Sequence, residues 1–183
     1  MGKITVYTKQ HKSVLEKLMA NGRYVAEKKI VHGHEDAFLM INAYDWLVAH
    51  HPDRERKPED ADYPVWVSFE KADTMIPGPD TVMLELEVEE DLITRLNVIK
   101  WTAINNCQYI AKDEKDAKLH RQKMEDYGLD DVKVCTTRFY PELRKEIEDS
   151  WLRAFDDTVD AGNDHAYGLL WEVKKEWIKR VIG

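Results

Sequence analysis

The sequence predicts an α+β fold in which a mainly antiparallel sheet packs on two or three amphipathic helices. Apolar residues alternate as in strands at 3–9, 64–70 and 82–88, and they recur at helical spacing at 35–51 and 141–155. These segments are interspersed without the regular alternation of a parallel βαβ fold. With 183 residues and a 43% hydrophobic content, the chain is expected to form a single domain over residues 1–183.

The three predicted strands each present one aliphatic face. The segment from Lys3 to Lys9 places Ile4 and Val6 on that face. The segment from Pro64 to Glu70 places two valines and a phenylalanine there, and the segment from Val82 to Val88 places alternating valines and leucines there. The turn between the second and third strands is predicted at residues 77–80, which read Pro-Gly-Pro-Asp.

The predicted helices are marked by their ends and their apolar stripes. Ser13 and Glu16 form a capping-box pattern, and Gly22 stops the helix that follows the first strand. The stripe over Glu35 to His51 predicts the most buried helix, and Pro141 begins another that runs to Phe155. We expect Trp46 and Trp151, one on each of these two helices, to be largely buried.

Four further segments receive coarser predictions. Residues 51–63 carry many charges and two prolines, which indicates an exposed loop that could be mobile and act as a lid. Residues 112–127 are typical of a solvated helix that ends at Gly128. Residues 92–107 fit either a helix or a strand, and residues 166–181 fit both as well, although Gly168 favours the strand there.

Charge and cysteine usage limit the class of function. The 27 basic and 35 acidic residues give a net charge of −8, so we expect neither nucleic acid nor an anionic membrane as a partner. No apolar run is long enough to cross a bilayer, and no export signal is visible. Cys107 and Cys135 form no CxxC motif, which favours reduced thiols, with Cys107 a buried structural residue, in a cytoplasmic protein.

Motifs for metals, nucleotides and nucleophiles are weak or missing. His32-Gly33-His34 and His50-His51 are the only histidine clusters, and neither has a third ligand at a fixed offset, so we expect no metal site. The eight glycines form neither a P-loop nor a dinucleotide-binding motif, and no GxSxG nucleophile turn is present.

The strongest candidate site is the face of the sheet opposite the aliphatic core. If the three strands share one sheet, that face carries aromatic rings, a hydroxyl and two carboxylates, supplied by Tyr7, Trp66, Ser68, Glu85 and Glu87. Such a set suits a small ligand with a planar ring, towards which a glutamate would act as hydrogen-bond acceptor or as general base. The alternative is a one-sided sheet whose second face is solvated or covered by a helix.

Four tryptophan-centred blocks resemble a bacterial family known only as domain of unknown function 3841. The blocks read Ala-Tyr-Asp-Trp-Leu at 43–47, Tyr-Pro-Val-Trp at 63–66, Glu-Asp-Ser-Trp-Leu-Arg-Ala-Phe at 148–155 and Leu-Trp-Glu-Val at 170–173. The resemblance covers nearly the whole chain and implies no particular activity. Where that family has Ser-Asp-Phe before a Trp-His pair, this chain has Thr94-Arg95-Leu96 and Trp101-Thr102. Any chemistry that the family's Asp and His perform would therefore be lost here.

The order of a strand, a helix ending at glycine and aromatic-rich strands also resembles small ADP-ribosyltransferases, which bind NAD. The resemblance implies that residues from Tyr7 to Gln10 lie at the cofactor edge and that Ser68 lies on the second motif strand. The glutamate expected near the last strand is replaced by His165-Ala166-Tyr167. The leading hypothesis is therefore a cytoplasmic domain that binds a small molecule or a protein without a cofactor, and the alternative is an enzyme that handles NAD.

Overall fold

The structure is a computed structural model that describes residues 2–28 and 37–183, without the side chains of 37–39. The chain divides into two compact units. The first consists of Met1–Gly33, His51–Arg95 and Ala166–Gly183, and the second of His34–His50 and Leu96–His165.

The strands of the described residues form two sheets. They are β1 Lys3–His11, β2 Arg23–Tyr24, β3 Val65–Ser68, β4 Thr81–Glu89, β5 Thr94–Asn97, β6 Ala166–Leu170, β7 Val173–Lys174 and β8 Ile178–Ile182. The six-stranded sheet has the strand order β5-β6-β3-β1-β4-β8. Its neighbouring pairs from β6 to β8 are antiparallel. A second, two-stranded antiparallel sheet joins β2 and β7. The predicted α+β class is confirmed, as are the three predicted strands.

In the first unit, helix α1 (Lys12–Asn21) covers the aliphatic face of the six-stranded sheet. Its buried residues Val14 and Leu18 belong to one hydrophobic cluster with Val6 of β1 and Leu84 of β4. The helix ends at Gly22, whose φ of 77° is left-handed, as the sequence predicts. Its N-cap is not Ser13.

The N-cap of α1 is His11, because its Nδ1 accepts a hydrogen bond from Ser13 N at 3.1 Å. The predicted capping box is therefore wrong. The His11 ring nitrogen satisfies one of the free amides of the first turn, and Ser13 itself lies inside the helix as its second residue.

The second unit contains five helices among its described residues. They are α2 Ala37–His50, α3 Val98–Asn105, α4 Glu114–Tyr127, α5 Asp131–Thr136 and α6 Pro141–Ser150. A 3-10 helix continues α6 over Trp151–Phe155. Trp46 and Trp151 are buried, with 9% and 3% exposure, and their rings meet edge to face at 5.6 Å, so the predicted burial is confirmed.

Both ambiguous segments are resolved by the fold. Residues 92–107 contain a strand and then a helix, because β5 ends at Asn97 and the Asn97 side chain caps α3 by accepting from Ile99 N and Lys100 N. Residues 166–182 form β6, β7 and β8, so the interpretation that Gly168 favoured is confirmed. The described helices include none with the length and apolar content that a membrane span requires.

Candidate functional site

A row of side chains crosses the sheet on the face opposite α1. Strand β1 lies between β3 and β4, and Tyr7 is paired with Ser68 on one side and with Glu85 on the other. Ser68 is paired in turn with Tyr167 of β6, and Glu85 with Arg180 of β8. Directly paired residues point to the same face, so the row brings the predicted aromatic, hydroxyl and carboxylate groups together.

Trp66 and Glu87 extend this row by one step along their strands. Trp66 lies two residues before Ser68, and its ring meets the Tyr167 ring edge to face, with the centroids 5.9 Å apart. Glu87 lies two residues after Glu85 and is paired with the exposed Thr5. We call the surface formed by Tyr7, Trp66, Ser68, Glu85, Glu87 and Tyr167 the aromatic face.

The carboxylates of the aromatic face lie close to cations of β8. Glu87 Oε2 is 3.1 Å from Lys179 Nζ, and Glu85 Oε2 is 3.9 Å from Arg180 Nε. Glu85 is the less exposed of the two glutamates, with 21% of its side chain accessible against 37% for Glu87. Partly exposed pairs of this kind contribute little to stability, so the carboxylates remain available as hydrogen-bond acceptors.

The exposure of the face is uneven. Tyr7, Trp66 and Tyr167 are half-buried, whereas Ser68 is only 6% exposed. The rings and the two carboxylates are therefore more accessible to a ligand than the serine hydroxyl is.

Gln10 does not join the aromatic face. It is paired with Val82, a member of the hydrophobic cluster beneath α1, and therefore points to the opposite side of the sheet. Its Nε2 donates to Thr8 Oγ1 at 2.8 Å, and Thr8 Oγ1 donates to Trp66 O at 2.8 Å. Gln10 thus helps to fix the backbone of the strand that carries Trp66.

The predicted loop over residues 51–63 is anchored by buried residues that sequence analysis missed. His51, Ala61 and Tyr63 are at most 3% exposed. Asp53 O accepts from Trp171 Nε1 at 2.9 Å, and Asp53 Oδ2 accepts from Thr94 Oγ1 at 2.6 Å. The expectation of a wholly exposed segment is wrong, because two aspartate oxygens and a buried imidazole hold it.

His51 is a neutral, buried imidazole in this segment. Its Nδ1 accepts a hydrogen bond from Asp53 N at 3.0 Å, and its ring lies 4.5 Å from the Trp171 ring. Burial lowers the pKa of His51 to about 4. The nearby Asp53 charge raises this pKa, but it offsets only part of the effect of burial.

A partly buried polar network in the second unit was not predicted from the sequence. Tyr109 stacks on His120 with centroids 4.0 Å apart, and His120 Nε2 lies 2.7 Å from Asp131 Oδ1. Tyr109 OH donates to Asp116, which also accepts from Arg153 Nη1 at 3.1 Å. Only Asp116 and His120 share a helix, α4, and the other residues come from separate helices and turns, so no spacing in the sequence reveals the network.

Asp116 and Lys100 are among the charged groups of this unit whose pKa values are shifted. Burial alone raises the pKa of the Asp116 carboxyl, but the hydrogen bond from Lys112 N and the Arg153 charge lower it overall. Burial lowers the pKa of Lys100, whose Nζ donates to Asp156 O at 2.7 Å. Both groups are positioned by contacts that stabilise the helices, and neither lies on the aromatic face.

The comparison with known families identifies the chain. The family model described as Domain of unknown function (DUF3841) matches residues 5–179. The chain belongs to this family. No curated protein and no solved structure matches the chain.

The DUF3841 match includes every residue of the aromatic face and of the polar network of the second unit. The resemblance to ADP-ribosyltransferases is supported by no comparison. In the described part of the chain, no group of three or more His, Cys, Asp or Glu side chains is arranged to hold a metal ion. His32 and His34 lie outside the described residues.

Proposed function

We propose that this DUF3841 protein is a binding domain that holds a small molecule on the aromatic face. The observation that carries the proposal is the position of Tyr7 between Ser68 and Glu85 on three neighbouring strands. Rigid strands fix these groups relative to one another, which lowers the entropy that a ligand loses when it binds.

The chemistry of the face favours a planar ring that carries hydrogen-bond donors. The half-buried rings of Tyr7 and Trp66 offer flat apolar surfaces, and the carboxylates of Glu85 and Glu87 accept hydrogen bonds from N–H or O–H groups. Free thiols at Cys107 and Cys135 suit a reducing compartment, and we propose a cytoplasmic location.

Tryptophan fluorescence tests the proposal directly. A ligand that stacks on the face is expected to quench emission in the wild type when NAD, ADP-ribose, common nucleotides and free nucleobases are titrated. Trp66→Phe should remove most of this quenching. Trp177→Phe is the matched control, because Trp177 packs against the hydrophobic cluster on the other side of the sheet. Quenching that survives in Trp66→Phe would contradict binding at this face.

A charge variant tests the acceptor role of the carboxylates. Glu85→Gln keeps the size of the side chain but removes the charged acceptor, so affinity should fall roughly tenfold or more. Glu89→Gln, at the exposed end of the same strand, should leave affinity unchanged. Equal effects of both substitutions would point to a general charge effect and not to a contact with the ligand.

The enzymatic alternative, which would need NAD as a cofactor or substrate, is an outcome of the same design. Incubation with labelled NAD should give neither hydrolysis nor modification of protein or nucleic acid if the domain only binds. Turnover that Ser68→Ala or Glu85→Gln abolishes would replace the binding proposal with an enzyme.

A further inference from the structure

The fold brings together two cysteines that are 28 residues apart in the sequence. Cys107 follows α3 and Cys135 lies in α5. Cys135 Sγ donates a hydrogen bond to Cys107 O over 3.8 Å. Both thiols are free and buried, at 4% and 5% exposure.

The two thiols also interact with each other, and this interaction shifts their pKa values in opposite directions. Hydrogen bonding between the two side chains lowers the pKa of Cys107, and the same interaction together with burial raises the pKa of Cys135. Since the thiolate is the reactive form of cysteine, Cys107 is the one that an oxidant attacks first.

The backbone at Cys107 is unusual. Its φ of 54° makes it the one non-glycine residue with a positive φ in the described part of the chain. It occupies the second position after α3, where Asn106 is the C-cap, and this left-handed position normally holds glycine or asparagine. A cysteine there is kept in a conformation that disfavours side chains, and such outliers concentrate at functional sites.

We propose that Cys107 and Cys135 are a modification site, at which hydrogen peroxide or a related two-electron oxidant forms a reversible disulfide. The Cys107 thiolate attacks one peroxide oxygen, the O–O bond breaks, and the sulfur becomes a sulfenic acid as hydroxide leaves and takes up a proton. The Cys135 sulfur then attacks the sulfenic sulfur and displaces its hydroxyl as water. In total two thiols and one peroxide give one disulfide and two waters.

The disulfide would close the segment that contains all of α4 (Glu114–Tyr127). The bond requires a sulfur–sulfur distance of about 2.05 Å, so the turn after α3 and the helix α5 are drawn together. The segment includes Tyr109, His120 and Asp131, and oxidation thus acts on the polar network of the second unit.

Mass spectrometry of the folded protein tests the site. Treatment of the wild type with hydrogen peroxide under native conditions should remove two hydrogen atoms, and digestion without reductant should yield one cross-linked peptide pair containing both cysteines. Dithiothreitol should restore the original mass. Oxidised protein should also melt at a higher temperature than reduced protein, because the closed loop restricts the unfolded chain.

Variants separate the two steps. Cys135→Ser should stop at the sulfenic acid on Cys107, which dimedone traps, whereas Cys107→Ser should react much more slowly. Cys107→Gly provides a second variant without the thiol, and glycine suits the left-handed backbone, so this variant remains folded. Folded wild type that gains oxygen atoms without losing two hydrogens, or that stays unmodified while dimedone labels neither cysteine, would overturn the proposal.

Discussion

Trp151 shows how one side chain stabilises several segments of the second unit. It is 3% exposed, its Nε1 donates to Gln108 O at 2.8 Å, and its ring meets that of Trp46. Trp151→Ala would leave a large cavity and an unsatisfied carbonyl, so we expect a loss of about 3–5 kcal/mol in the free energy of unfolding. Urea denaturation measures this loss.

The neighbouring residue provides the control for this prediction. Leu152 is 51% exposed, and Leu152→Ala should therefore cost less than about 1 kcal/mol. A loss for Trp151→Ala as small as that of the control would show that the indole is not part of the core.

His51 gives the protein a predictable sensitivity to acid. Its pKa is about 4 in the folded protein and near 6.5 when unfolded, so the unfolded chain binds the proton first. Stability contributed by neutral His51 is fully present above pH 6.5 and decreases as the pH falls towards 4, by roughly 3 kcal/mol in total. Urea melts between these pH values should show the decrease in the wild type.

His51→Asn tests the source of this pH dependence. The asparagine carbonyl can still accept from Asp53 N, but it cannot titrate. The variant should be less stable than the wild type at pH 7, and the difference should shrink as the pH falls. A constant difference from pH 7 to pH 4 would mean that His51 does not titrate with a lowered pKa.

At the scale of one element, the pairing of β3 with β6 depends on Gly168. A Cβ added there would lie 2.6 Å from both Ile93 Cγ2 and Val67 Cγ2. Gly168→Ala should therefore destabilise the protein by about 1–3 kcal/mol through overpacking. Gly78→Ala is the control, because its nearest contact would be Thr81 Oγ1 at 3.8 Å. Thermal melts of the two variants should differ accordingly, and equal melting temperatures would contradict the close packing.

The same glycine shows what could be predicted from the sequence and what could not. Alternation identified β1, β3 and β4 because one face of each is buried in a single cluster, and a glycine within an alternating segment correctly favoured β6. The two-residue β2 and the six-residue α5 escaped prediction, since neither is long enough to show a period.

The candidate site was predictable to the extent that it follows from strand alternation. The alternation of side chains along each strand placed residues 7, 68 and 85 on the face opposite the aliphatic core. Their pairing in one row depends on strand order and register, which the local sequence pattern does not fix. The resemblance placed Gln10 at the cofactor edge, and strand alternation sets its side chain on the opposite side of the sheet from the aromatic face. The network of Tyr109, His120 and Asp131 depends entirely on contacts between elements.

At the scale of the whole molecule, the chain runs back and forth between the two compact units. It passes between them after residues 33, 50, 95 and 165, and the third of these points falls inside the strand β5 (Thr94–Asn97). Each unit is built from more than one chain segment, so neither can form before segments that are distant in the sequence have come together. We therefore expect both units to unfold together, as the prediction of one domain over residues 1–183 requires.

Native-state hydrogen exchange can test this cooperativity without altering the chain. Amides of β1 and β4 report on the first unit, and amides of α3 and α6 on the second. If the units are one domain, their slowest-exchanging amides should give the same free energy of opening, and that energy should fall with the same dependence on urea. Gly168→Ala should then lower the opening energy of α6 as much as that of β1, although the substitution lies only in the first unit. Separate opening energies, with α6 unaffected by Gly168→Ala, would instead establish two independently folding domains.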